Sequence, residues 1–188
     1  MNQADPKNFF IRALEYIIDV SERGFVNNPA DKGGPTKYGI TKKDLEKIKG
    51  RPVTDAEVEA LDKDDTMEFY RKEYWEQLSC DKLTQYEVAL SLFDSCILFG
   101  IRPVSLYSQM ALVVCGFSEL QIDGKIGPLS IECFNLVDPQ KFCLAYVKLL
   151  NQKIDHILNA SPSQKVFEHG WRSRINRYIG EDFGNHSS

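Results

Sequence analysis

No stretch of this 188-residue chain stays apolar for the roughly 18 residues that a membrane-spanning helix needs, so insertion into a bilayer is not expected. The opening residues, Met1-Asn2-Gln3-Ala4-Asp5-Pro6, lack a basic segment followed by an apolar core. No secretory leader is therefore expected, and synthesis in the cytoplasm is. Basic residues are not in excess: 23 Lys and Arg against 27 Asp and Glu leave a formal charge of −4, which argues against a nucleic-acid partner. The five cysteines, Cys80, Cys96, Cys115, Cys133 and Cys143, include no Cys-x-x-Cys pair. His156, His169 and His186 stand at no ligand spacing, so neither a metal site nor any other cofactor is expected. An odd number of cysteines among apolar neighbours predicts buried, reduced thiols. With 43% hydrophobic and 27% charged residues, the chain has the composition of a globular protein with one core.

The most informative segment follows the first helix. Phe10, Leu14, Ile17 and Ile18 recur at helical spacing, opposite Arg12, Glu15 and Asp19, and the pattern stops at Val20. The next twenty residues hold four Gly, two Pro and two Asn, which favour tight turns. Two carboxylates sit in this stretch. Glu22 falls at a helix C-terminus, where outward-pointing carbonyls and the negative end of the macrodipole disfavour an anion, so its proton is held more tightly. Asp31, in a Gly-rich loop, is expected to stay ionised. Carboxyl groups whose environments push their pKa values apart suit acid-catalysed glycoside hydrolysis, one protonating the leaving oxygen and the other serving water or the cation.

The string from Glu22 through Asp31-Lys32-Gly33-Gly34-Pro35-Thr36-Lys37-Tyr38-Gly39-Ile40-Thr41 resembles the signature of glycoside hydrolase family 108, N-acetylmuramidases also described as secretion activators. It is also similar to phage-type lysozymes. The resemblance implies a mostly α, lysozyme-like fold with a small β element near residues 25–40. It implies cleavage of the β-1,4 bond between N-acetylmuramic acid and N-acetylglucosamine in peptidoglycan glycan strands. Glu22, Asp31 and Thr36 would form the catalytic set, with Tyr38, Tyr74 and Trp75 binding sugar. Arg23 departs from the family's Gly. Asp94 and Gly100 match a Phe-Asp-x-x-x-Asn-x-Gly element, which implies a substrate contact at Asp94, with Leu98 in place of the Asn. Gln121-Ile122-Asp123-Gly124-Lys125-Ile126-Gly127-Pro128 resembles a motif of small peptidoglycan-binding repeats and implies a substrate contact at Asp123. With no leader, the resemblance requires a holin or a dedicated secretion system to bring the chain to the cell wall. A lytic transglycosylase, which needs only the Glu, and a non-catalytic wall-binding or secretion-accessory protein remain alternatives.

Other boundaries follow from local signals. Lys37–Ile40 reads as a strand or ribbon edge, and Thr41 as the cap of a helix closed by Gly50. Thr54-Asp55-Ala56-Glu57 forms a capping box, and Thr66 is expected to open an aromatic helix. Residues 87–100 are apolar nearly all round, predicting a buried helix in which Asp94 needs a partner. Arg102-Pro103 is read as a break, Pro128 and Asp138-Pro139 as helix starts, and Ser161-Pro162 as the start of a last helix bearing Trp171. Residues 1–100 are expected to form the catalytic half and 101–180 a helical half that resembles a peptidoglycan-binding region and packs with it as one compact unit, with 181–188 a frayed tail.

Overall fold

A computed structural model of the chain describes residues 8–20, 25–26, 35–180 and 183. The fold is mostly α, with one small antiparallel sheet in the order β1-β2-β3. Contacts divide the chain into residues 14–73 and a larger unit of residues 1–13 with 74–188. The expected boundary at residue 100 is thereby corrected. The buried helix that ends there packs on helices that follow it, so it belongs with the second half of the chain.

In the smaller unit, β1 (Phe25–Val26), β2 (Thr36–Lys37) and β3 (Ile40–Thr41) pair with Val26 opposite Thr36 and Thr36 opposite Thr41. The sequence expectation of a strand over 37–40 is refined, since Tyr38 and Gly39 are the two-residue turn of a hairpin. Both have positive φ, 50° and 77°, the backbone sense that matches the twist of paired strands. The helix α2 (Lys42–Lys49) starts where expected: the Thr41 hydroxyl accepts from Asp44 N, the Asp44 carboxylate accepts from Thr41 N, and Gly50 closes the helix at φ 62°. In α3 (Asp55–Glu59), Thr54 and Glu57 form the same reciprocal box. Caps of this kind each contribute about 1 kcal/mol.

Thr66 does not open the next helix. α4 (Lys63–Tyr70) is capped four residues earlier by Asp62, whose carboxylate accepts from Asp65 N at 2.7 Å. Asp caps as well as Thr, and it comes first in the chain. Thr66 lies fully buried one turn in, its hydroxyl donating to Asp62 O at 2.6 Å.

The larger unit is built on α5 (Tyr86–Phe99), buried from Val88 to Cys96. It packs against α6 (Ile101–Val114) and α8 (Pro139–Ala160), while α7 (Pro128–Leu136) packs on α6. Pro103 does not break the chain before α6. It occupies the first turn, where its missing N–H has no helical partner to lose. Ser161-Pro162 begins a 3₁₀ segment, Pro162–Phe167, and α9 (Glu168–Asn176) follows it. All five cysteines are buried and free, in line with the sequence reading.

Asp94 is 1% exposed on α5. Arg174 of α9 donates to it from Nε at 2.9 Å, and the Tyr178 hydroxyl donates to its second oxygen at 2.6 Å. A carboxylate withdrawn from water needs this compensation. Asp94→Ala should lower stability by about 3 kcal/mol or more, because it strands the guanidinium in the core. Asp94→Ala/Arg174→Met should recover part of that loss, and urea unfolding of the two variants checks both values.

Burial raises the Cys96 and Cys143 thiols to about 12, and raises the Tyr146 and Tyr178 phenols as well. A raised folded-state pKa contributes stability that is complete below the unfolded value, about 8.5 for a thiol, and is lost as pH rises through the folded value. Stability should therefore fall progressively from about pH 8.5 to 12. The tyrosinate absorbance of Tyr146 and Tyr178 should emerge together with unfolding, a coincidence that a pH titration followed at 295 nm tests.

Candidate functional site

Glu22 and Asp31 lie outside the described residues. What surrounds them in sequence is a short sheet with well-defined pairing. Thr36 occupies the middle strand, half-buried and flanked by Val26 and Thr41. A hydroxyl on a central strand is held by main-chain pairing on both sides. Such backing suits a residue that must hold a water molecule in one place.

Tyr38 sits at the hairpin tip. Its backbone is in the left-handed region, which a tyrosine adopts only at a cost of order 1 kcal/mol. Two contacts hold it there. The Tyr70 hydroxyl donates to the Tyr38 carbonyl at 2.8 Å, and Lys37 Nζ lies 5.3 Å from the Tyr38 ring centroid. The residue is half-buried. The sequence singled out Tyr38 but not Tyr70, which reads there only as an apolar position of a helix. The hydrogen bond that makes it an anchor spans 32 residues and leaves no local signal.

In the same unit, a cleft of about 390 Å³ has Ile40, Leu45, Leu61 and Phe69 among its lining residues. Lys47 and Glu73 pair across its rim at 2.8 Å. The cleft thus presents apolar surface between opposite charges, and Ile40 of the hairpin forms part of its wall.

The remaining expected binding residues belong to the larger unit and occupy separate environments. Tyr74 is half-buried in a π-helical turn, Arg71–Trp75, a rare element that often marks functional positions. Trp75, read from the sequence as a sugar platform, is 1% exposed. Its ring makes T-shaped contacts with Phe10 at 5.5 Å and Phe93 at 5.3 Å, so it is enclosed in packing rather than open to a sugar. Helical aromatic spacing does not distinguish an inward from an outward ring. Asp94, expected to contact substrate, is consumed by Arg174 and Tyr178.

Asp123 is exposed in the loop before α7, but its carboxylate also has internal work. It accepts from Gln109 Nε2 at 2.9 Å and from Lys125 N at 2.8 Å, and the Gln109 bond is the main cause of its lowered pKa. Gln109 in turn accepts from Gly124 N at 2.8 Å. Gly124 has φ 74°, and a Cβ there would approach Leu106 to 3.1 Å. The Asp-Gly pair therefore folds the loop onto a buried amide, which gives the motif a structural reason. Among the described residues, no group of three His, Cys, Asp or Glu is placed to hold a metal ion, and no helix is long and apolar enough to cross a membrane.

Residues 15–100 match the family model described as glycosyl hydrolase 108. Among solved structures, the chain is similar to SagA of Brucella abortus, with 27% identity, a TM-score of 0.78, and coverage of 96% of this chain and 98% of that one. No curated protein matches the chain in sequence.

The hairpin tip yields a direct test. Tyr38→Asn tolerates the left-handed backbone and keeps the carbonyl that Tyr70 reaches, while removing the ring. It should change the unfolding midpoint little and raise KM for a glycan substrate about fivefold, as loss of one ring contact worth about 1 kcal/mol implies. Steady-state kinetics beside thermal unfolding separates these effects.

Proposed function

From the match of residues 15–100 to the glycosyl hydrolase 108 family model, we propose that the chain is a peptidoglycan hydrolase of the N-acetylmuramidase type. The carrying observation is that the matched span contains the whole Glu22-to-Thr41 string, part of which is folded into the Thr36–Thr41 hairpin. Glu22 gives its proton to the oxygen linking N-acetylmuramic acid to N-acetylglucosamine. As the bond breaks, positive charge grows on the muramoyl anomeric carbon. Asp31 stabilises that charge or takes the proton from the attacking water, and Thr36 holds the water by its hydroxyl. Inversion requires about 6.5–9.5 Å between the two carboxyl groups and retention about 5–5.5 Å. The reaction moves protons between carboxyl groups, water and sugar, and its steps call on no cofactor.

Tyr38 at the hairpin tip is the ring contact of this proposal in the smaller unit, because it is half-buried rather than enclosed. Trp75 and Asp94 support the fold of the larger unit. The polymer lies outside the cytoplasm, so the chain reaches it through a holin or a secretion system.

Mass spectrometry of fragments released from purified peptidoglycan decides the chemistry. The wild type should release reducing muramic acid ends, and Glu22→Gln should reduce the rate at least a hundredfold, the scale of lost general acid catalysis, with unfolding unchanged. Anhydro-muramic ends would indicate a transglycosylase instead. A fully active Glu22→Gln would remove Glu22 from the mechanism.

A further inference from the structure

In the smaller unit, groups from two separate helices hold the hairpin that carries Thr36 and Tyr38. Lys37 Nζ, on β2, donates to the carbonyl of Glu59, the last residue of α3, at a helix terminus that favours a cation. The Tyr70 hydroxyl, at the end of α4, donates to the Tyr38 carbonyl at 2.8 Å. Lys37 thus ties down the strand that leads into the turn, and Tyr70 ties down the turn itself.

The turn is strained at one of its two positions. Gly39 takes its positive φ freely, but Tyr38 takes φ 50° where a hairpin turn ordinarily has Asn, Asp or Gly. Turn geometry alone does not call for a ring there, since Asn would close the same hairpin with less strain. Tyr70 is fully buried, in T-shaped contact with Phe69 at 5.4 Å. A phenylalanine at position 70 would keep that packing and lose the bond to Tyr38. A ring is therefore placed against its backbone preference at the tip, and a buried hydroxyl bonds the carbonyl of that same residue.

We propose that Tyr70 is a positioning residue for glycan binding: through the Tyr38 carbonyl, its hydroxyl holds the turn in the conformation that presents the Tyr38 ring to a sugar. The role rests on the peptidoglycan reading above, in which Tyr38 is the ring contact of the smaller unit. Without the bond, strain at residue 38 favours other backbone states, and the substrate must order the ring as it binds. That ordering is needed for binding and for the transition state alike, so it enters KM and Kd and leaves kcat unchanged. The pairs Thr36–Thr41 and Lys37–Ile40 lie below the turn and keep Thr36 in register without Tyr70.

A double-mutant cycle over Tyr70→Phe and Tyr38→Asn tests this on soluble glycan strands prepared from peptidoglycan. Steady-state kinetics gives kcat and KM, titration calorimetry in the Glu22→Gln background gives Kd, and thermal unfolding confirms folding. Tyr70→Phe should raise KM and Kd about fivefold, the scale of one lost hydrogen bond, with kcat unchanged. In the Tyr38→Asn background it should raise them no further, because the ring it positions is gone. A full fivefold rise in that background, or a fall in kcat with KM unchanged, overturns the positioning role and leaves the hydrolase reading in place. A lower unfolding midpoint with KM and Kd unchanged assigns the bond to stability alone and also overturns it. Strands that bind with the expected dependence on both tyrosines, but that the wild type never cleaves, support the positioning role while overturning the hydrolase reading.

Discussion

The buried carboxylate of Asp94 is the constraint on which the larger unit depends. Asp94 is one of ten buried residues of α5, a helix apolar enough that any charge on it must be answered from elsewhere in the chain. The answer comes 80 and 84 residues later, from Arg174 and Tyr178. Burying an ion pair adds little net stability compared with an apolar replacement, but an unmatched partner costs several kcal/mol. The network therefore acts mainly as a selector. It penalises any packing in which α9 is displaced from α5, and so fixes the position of the last helix and of Trp171 upon it.

The smaller unit uses a different device. Its sheet has only two-residue strands, too short to be stable by pairing alone. The hairpin is held because the turn geometry matches strand twist, and because capping at Thr41 makes the end of β3 also the start of α2. Tyr70 then fastens the turn from another helix. These contacts restrict Thr36 and Tyr38 without a large core beneath them. Preorganisation of this kind is what a site needs if a proton donor and a water molecule are to meet a sugar with little further ordering.

Much of the fold was legible in the sequence because its signals are local. The capping boxes at Thr41 and Thr54, the glycine at 50 and the prolines at 128 and 139 each act within about one helical turn, so their positions in the chain determine their roles. The failures share a cause. Asp62 and Thr66 are both good caps, and burial of Thr66 decided between them. Residue 100 ends a helix, but the packing of that helix lies with later elements. The candidate site was legible only as a string: Thr36 and Tyr38 fall on the hairpin that its glycines and threonines favour, while the anchoring by Tyr70 spans too much sequence to be read.

Trp75 and Trp171 show how the same residue type comes to lie at different depths, one buried and one half-buried. Both stand at helical spacing among other aromatic residues. Trp75 ends the π turn and is enclosed by Phe10 and Phe93, both in T-shaped contact with its ring. Trp171 is carried by a helix whose inner face is already occupied by Arg174 and Ile175, so its ring is left near the rim with Phe167 and Phe99. The charge at Asp94 thus has an effect beyond its own environment. By drawing Arg174 inward, it fixes the rotation of α9, and with it Trp171, three residues earlier on the same side of the helix and half-buried beside Phe167 and Phe99.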